Sequence, residues 1–254
     1  MKLRPEDCLP EDAERAILVG RAWVPGDHPG PSPVIIRGAD VVDISDTFPT
    51  MSELLNTESI ESKMDDLNGT KIGVIDSLLE NSAWHSQDKK HPYLLAPVDL
   101  QAVKACGVTF AQSMLERVIE ERAKGDPSAA QGIRNDIQKV IGLDLESIIP
   151  GSSEAEQLKE VLIKKDMWSQ YLEVGIGPDA EVFTKAQPMS VMGIGAQIGI
   201  LEKSEWNNPE PEITLAVNAR GKILGATLGN DVNLRDIEGR SALLLGKAKD
   251  NNAS

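Results

Sequence analysis

From Asn208 to Lys249 the chain reads NPEPEITLAVNARGKILGATLGNDVNLRDIEGRSALLLGKAK, and few folds satisfy that order. The apolar run ITLAV, the break at Arg220-Gly221-Lys222 and the returning KILGATLGN describe a strand that turns and comes back beside itself. Side chains alternate along a strand, so Glu210 and Glu212 share one face, about 6.6 Å apart. Two carboxylates on one face repel. They either point into solvent or share a cation, and the apolar ITLAV that follows favours the cation. The returning strand delivers Asp231 to the same end. Three oxygen ligands without cysteine or histidine nearby suit a hard ion, magnesium or manganese, with positions left open for substrate. An ordinary acidic hairpin end has the same spacing.

Length and composition bound the rest. A chain of 254 residues, 41% hydrophobic and 26% charged, can bury a real core as one large domain or two small ones. A formal net charge of −14 argues against nucleic acid and anionic membrane as partners. Cys8 and Cys106 stand far apart with no CxxC or histidine company, which argues against a disulfide framework or a structural zinc site. The start lacks an apolar leader-like stretch, and no run of about 18 apolar residues occurs, so a cytoplasmic enzyme is expected.

Along the chain, residues 1–92 are expected to form a small β-rich module. AILVGRAWV, PVIIRG and DVVDIS read as strands, with PGDHPGPSP a loop between the first two. His28 in that loop is expected to be solvent-exposed. TFPTMSELL starts a helix capped by Thr50 or Ser52, and KIGVIDSLLEN fits a strand or a short helix. YLLAPV and AVKACGVTF read as strands, the second feeding an amphipathic helix with Met114, Leu115, Val118 and Ile119 on one face. SAAQGIRNDIQKVIG and SSEAEQLKEVLIKKDMWSQYL are expected as further helices, the second capped by Ser152 or Ser153. A helical excursion over about 111–171 results, either a lid or a packing element. The glycine-rich VGIGPDAEVFTKAQPMSVMGIGAQIGIL lacks the order of a phosphate loop. Within it EVFTKA is a strand carrying Lys185. A lysine there either snorkels or pairs with an anion, a substrate carboxylate being a fitting partner.

EVFTKA, WNNPEPEITLAVN, GNDVNLRDIEGR and GKAKDNNAS, in that order, resemble the fumarylacetoacetate hydrolase superfamily, and within it the branch of 2-keto-3-deoxy sugar-acid (arabinonate) dehydratases. The resemblance covers roughly Leu94 to Ser254. It implies an α+β fold in which the N-terminal module precedes a mixed β-roll core over residues 93–254. It implies a divalent ion on Glu210, Glu212 and Asp231, a pocket lysine at Lys249 and a second lysine near the pocket at Lys185. It raises Thr109, Glu116 and Arg117 to candidates, because YLLAPVDLQAVKACGVTFAQ stands where the family's site-entering strand and loop lie. Family members carry further strands beyond NNAS, so the chain is expected to be part of a longer protein. A homodimer or higher oligomer is also implied.

Superfamily substrates are 2-oxo acids, whose carboxylate and carbonyl oxygens chelate the ion. The expected reaction is dehydration of a 2-keto-3-deoxy sugar acid through a metal-stabilised enolate. Glu116 is the candidate acid/base, Lys249 and Lys185 stabilise charge, and Thr109, Arg117 and Lys185 bind substrate. The same ligands serve C–C hydrolysis of an acylpyruvate or 1,3-diketo acid. A truncated family member without turnover is a third reading.

Overall fold

The computed structural model describes residues 2–64, 67–107, 118–119, 123, 126–141, 148–164, 166–168 and 170–251. They divide into two compact units, one of residues 1–103 with 184–254 and the other of residues 104–183.

In the first unit, β1 (Leu18–Val24), β2 (Gly30–Arg37), β3 (Asp40–Asp43), β4 (Thr70–Val74) and β5 (Tyr93–Leu95) form a five-stranded sheet in the order β4-β3-β2-β1-β5. Each neighbouring pair is antiparallel. The strand β2 begins at Gly30, so the second half of the expected PGDHPGPSP loop is strand. Pro31 and Pro33 are tolerated because β3 pairs with β2 only from Val34 onward, and the one bond beyond it, the Ile44 amide on the Pro33 carbonyl at 3.1 Å, needs no proline N–H. His28 is exposed in the shorter loop that remains. KIGVIDSLLEN is both of its alternatives, β4 running straight into the helix Ile75–Ser82. That helix buries Ile75, Leu78 and Leu79 against Val34 and Val41, while Ile35, Val42 and Ile44 bury Met51 and Leu54 of the helix Met51–Asn56. Successive sheet residues pointing to opposite sides explain the two clusters.

The N-terminus of Met51–Asn56 is held from inside the sequence and from outside it. Thr50 Oγ1 accepts from the Glu53 amide at 3.0 Å, as expected of a cap. Asp99, buried, accepts from the Met51 amide at 2.6 Å and the Ser52 amide at 3.2 Å. A carboxylate on the free amides of a helix start satisfies donors that would otherwise be buried alone.

Strands β6 (Val103–Cys106) and β7 (Val182–Ala186) pair where the chain leaves and re-enters the first unit. The second unit is helical. Its core joins Val118 and Ile119 to Ala155, Leu158 and Leu162 of Ser153–Lys164 and to Leu172 and Ile176 of Gln170–Ile176. Met114 and Leu115, expected on the same face as Val118, lie outside the described residues. A further helix, Pro127–Ile141, starts on Asp126, which accepts from the Ser128 amide at 2.9 Å. SSEAEQLKEVLIKKDMWSQYL is two helices rather than one. Asp166, at φ 55, ends the first, and the Met167 amide closes onto the Leu162 carbonyl at 2.8 Å. Ser152 is the cap, its hydroxyl accepting from the Ala155 amide at 3.1 Å.

The hairpin follows β8 (Asn207–Asn208) as β9 (Pro211–Val217) and β10 (Ile223–Asn230), and β11 (Asn233–Leu234) returns to pair with β8. The turn closes with the Gly221 amide on the Asn218 carbonyl at 2.9 Å, Gly221 adopting φ 76, where a side chain would be strained. One hairpin face carries Ile213, Leu215 and Val217 opposite Leu228, Ala226 and Ile223, and the large apolar residues among them are exposed. Helices and antiparallel sheets together make the chain α+β.

Candidate metal centre

The hairpin register decides which side chains meet. Gly229 faces Glu212 and Asn230 faces Pro211, so the next step along β10 sets Asp231 opposite Glu210. Two hydrogen bonds fix that step: the Asp231 amide donates to the Glu210 carbonyl at 2.9 Å, and the Glu210 amide donates to Asn230 Oδ1 at 2.9 Å. One oxygen from each of Glu210, Glu212 and Asp231 lies within 4.8 Å of the others. Glycine at 229 keeps the face clear beside Glu212, since a Cβ there would run into Thr214 Oγ1.

Two buried lysines complete the cluster. Lys249 ends the helix Leu245–Lys249 with its side chain only 4% exposed, and its Nζ donates to Glu210 Oε2 at 2.6 Å and to Asp231 Oδ2 at 3.0 Å. Lys185, on β7, is also buried. Its Nζ donates to the Val232 carbonyl at 3.0 Å and to the Lys249 carbonyl, and stands 3.4 Å from Asp231 Oδ1. Of the two fates expected for a lysine on this apolar strand, snorkelling is therefore excluded: it pairs with an anion supplied by the protein itself.

The electrostatics divide the carboxylates. Burial alone would raise the Glu210 carboxyl, but the hydrogen bond and charge of Lys249, with the amides of Asn233 and Asn208, hold it below the usual carboxylate range. Burial, then Asp231 and Glu210, push Glu212 above that range, and no hydrogen bond or ion pair holds its carboxylate among the described residues. Burial works against the Lys249 ammonium too, yet Glu210 and Asp231 outweigh it and keep it above its ordinary value. For Lys185 burial wins over the charge of Asp231, and its pKa falls.

The donor set fits a hard divalent ion. All three groups are carboxylates, Asp231 Oδ1 is buried with the Lys185 ammonium no nearer than 3.4 Å, and no ion pair among the described residues holds Glu212.

The structure brings Glu210, Glu212, Asp231, Lys185 and Lys249 together. Thr109, Glu116 and Arg117 lie outside the described residues. Sequence reasoning missed Asn208 and Asn233, whose Nδ2 atoms reach Glu210 Oε1 at 3.3 Å and 3.0 Å. The rule that paired Glu210 with Glu212 would have found both, because Asn208 stands two before Glu210 and Asn233 two after Asp231.

The fold is that of a solved 2-keto-3-deoxy-D-arabinonate dehydratase. A structure of that enzyme complexed with magnesium and 2,5-dioxopentanoate superposes on 92% of this chain and 62% of its own, with a TM-score of 0.54 at 20% identity. The apo form gives the same TM-score, 0.54, at 19% identity. Among curated proteins, a probable 2-keto-3-deoxyxylonate dehydratase of Haloferax volcanii is 41% identical over 95 residues, 37% of this chain and 32% of the relative. The 2-dehydro-3-deoxy-D-arabinonate dehydratase of Saccharolobus solfataricus is 42% identical over 69 residues, 27% of this chain and 23% of the relative. The matches thus span less than a third of the length of either curated relative. No protein-family model matches the chain. These similarities point to the same dehydratase branch that the ordered motifs resemble.

Proposed function

We propose that this chain carries the metal-binding part of a divalent-metal-dependent hydro-lyase that dehydrates a 2-keto-3-deoxy sugar acid. The observation that carries the proposal is the set of three carboxylates whose oxygens converge within 4.8 Å beside two buried lysines. In their ordinary charge states these five groups sum to one negative charge. Adding a divalent cation makes the site positive by one, matching a substrate with a single carboxylate. Magnesium or manganese held by Glu210, Glu212 and Asp231 would supply the positive charge that stabilises the enolate developing as the C3 proton leaves.

The chain's own residues do the rest. Lys249 lies between Glu210 and Asp231 and pairs with both, and its hydrogen bond and charge favour the ionised form of Glu210 that a cation needs. Lys185 ties the Val232 and Lys249 carbonyls together from β7, fixing the backbone that carries Asp231 and Lys249. Either ammonium can also face the negative charge that grows on the substrate. Glu116 is proposed as the acid/base that moves the C3 proton and assists the departing hydroxyl, with Thr109 and Arg117 as substrate-binding residues. The relatives' names favour dehydration over C–C hydrolysis, which the same ligands would serve.

The proposal extends to a cytoplasmic homo-oligomer. No helix among the described residues is long and apolar enough to cross a membrane. The exposed ladder of Ile213, Leu215, Val217, Ile223 and Leu228 supports association with a second copy, which light scattering would detect. The activity is tested by incubating purified protein with magnesium and a 2-keto-3-deoxy-pentonate. Loss of one water to give the semialdehyde, abolished by chelator, is expected. Metal-loaded protein that leaves the substrate intact, or cleaves a carbon–carbon bond in an acylpyruvate instead, contradicts it.

A further inference from the structure

Glu210 is held by more than the lysine that pairs with it. Asn208 and Asn233 face each other across the β8–β11 pair, and both amide nitrogens converge on the same oxygen, Glu210 Oε1, at 3.3 Å and 3.0 Å. Asn233 has no exposed surface, and its Nδ2 also donates to Glu238 Oε2 at 2.6 Å. Glu238 is in turn paired with Arg235 at 3.5 Å. Both hydrogens of one buried amide are therefore spent on carboxylates.

The arrangement has a cost that identifies its purpose. Asn233 Oδ1 and Asn208 Oδ1 are both buried and accept no hydrogen bond among the described residues. A buried acceptor left unmade is destabilising, and folds normally avoid it. Turning the Asn233 amide over would not repair this, because Oδ1 would then face two carboxylates. The amide is thus locked in the orientation that serves Glu210.

We propose that Asn233 is a positioning residue of the metal centre. It clamps Glu210 Oε1 against the Glu238 anchor, so that the carboxylate plane is set before any ion arrives, with Asn208 as the weaker second clamp. The inference rests on the metal reading above. Groups that orient a ligand without touching the ion commonly govern affinity by about 10–100-fold.

The test is calorimetric titration of metal-free protein with magnesium and with manganese, alongside the thermal midpoint without metal and the paramagnetic resonance spectrum of bound manganese. For Asn233→Ala a loss of affinity of about 10–100-fold is expected, with an altered manganese spectrum at saturation. The midpoint without metal is expected to fall, because Glu210 and Glu238 each lose a donor, so affinity is measured well below the variant's midpoint and the positioning role is read from that affinity and from the manganese spectrum. Affinity within twofold of the wild type overturns the inference while leaving the metal site standing. Absence of saturable binding in the wild type overturns both. Should Asn233→Ala not fold, Asn208→Ala and Glu238→Gln decide: each is expected to weaken binding several-fold, and unchanged affinity in both overturns the inference.

Discussion

Lys249→Met removes the ammonium between Glu210 and Asp231 while keeping a side chain of similar length. The lysine side chain is 4% exposed and Asp231 6%, against 22% for Glu210, so one carboxylate is left deeply buried and the other partly so. Breaking a buried ion pair by deleting one partner costs about 3–5 kcal/mol. Glu210 retains some water and both asparagines, and Lys185 stays 3.4 Å from Asp231, so the lower end, about 3 kcal/mol, is the expectation here. In a protein of this size that corresponds to a fall of roughly 6–12 °C in thermal midpoint. The sign with pH follows from the raised Lys249 pKa. The contribution is complete at neutral pH and is lost only as pH climbs past the ordinary lysine value of 10.5 toward the higher folded one. Added magnesium supplies the missing charge, so the variant should gain more stability from the ion than the wild type does. The assay is differential scanning calorimetry in chelator and in excess magnesium. A variant that loses less than about 1 kcal/mol in chelator, or gains no more from magnesium than the wild type, refutes the placement of Lys249 as the cluster's internal cation.

Glu212 is the carboxylate whose proton should compete first with a bound ion. Burial and its two acidic neighbours raise its pKa, so metal affinity should begin to fall while pH is still above the ordinary carboxylate range, and Glu212→Gln should flatten that onset in a titration series. Gly229→Ala puts a Cβ against Thr214 Oγ1, and is expected to weaken metal binding by disturbing the hairpin beside Glu212; adding Thr214→Ala should restore much of it, as read by calorimetry. Asp99→Ala strips a carboxylate from the Met51 and Ser52 amides, and a loss of about 2 kcal/mol is expected in urea unfolding with metal affinity unchanged.

The carboxylate cluster was legible because it rests on a local rule. Alternation along a strand put Glu210 and Glu212 on one face, and the short Arg220-Gly221-Lys222 turn brought Asp231 back to them. Lys185 stood out as a cation on an apolar strand, but its partner is a carboxylate 46 residues later in the chain, Asp231, which strand chemistry alone does not reveal. Lys249 came only through resemblance, since the short helix that carries it has no periodic pattern long enough to read. The break at Asp166 was hidden for a related reason: an aspartate at positive φ ends a helix without the usual glycine, so the apolar period runs through it. In β2 the opposite error arose, because the prolines that mark a loop are tolerated at the end of a strand where the neighbour does not need their amide.

Divalent-metal binding by the three carboxylates is the point on which everything else depends, and equilibrium titration of metal-free protein with manganese measures it directly. One saturable ion per chain is expected, lost in Glu210→Ala, Glu212→Ala and Asp231→Ala while the fold is retained. Saturable binding that survives all three substitutions, or none in the intact protein, would contradict it.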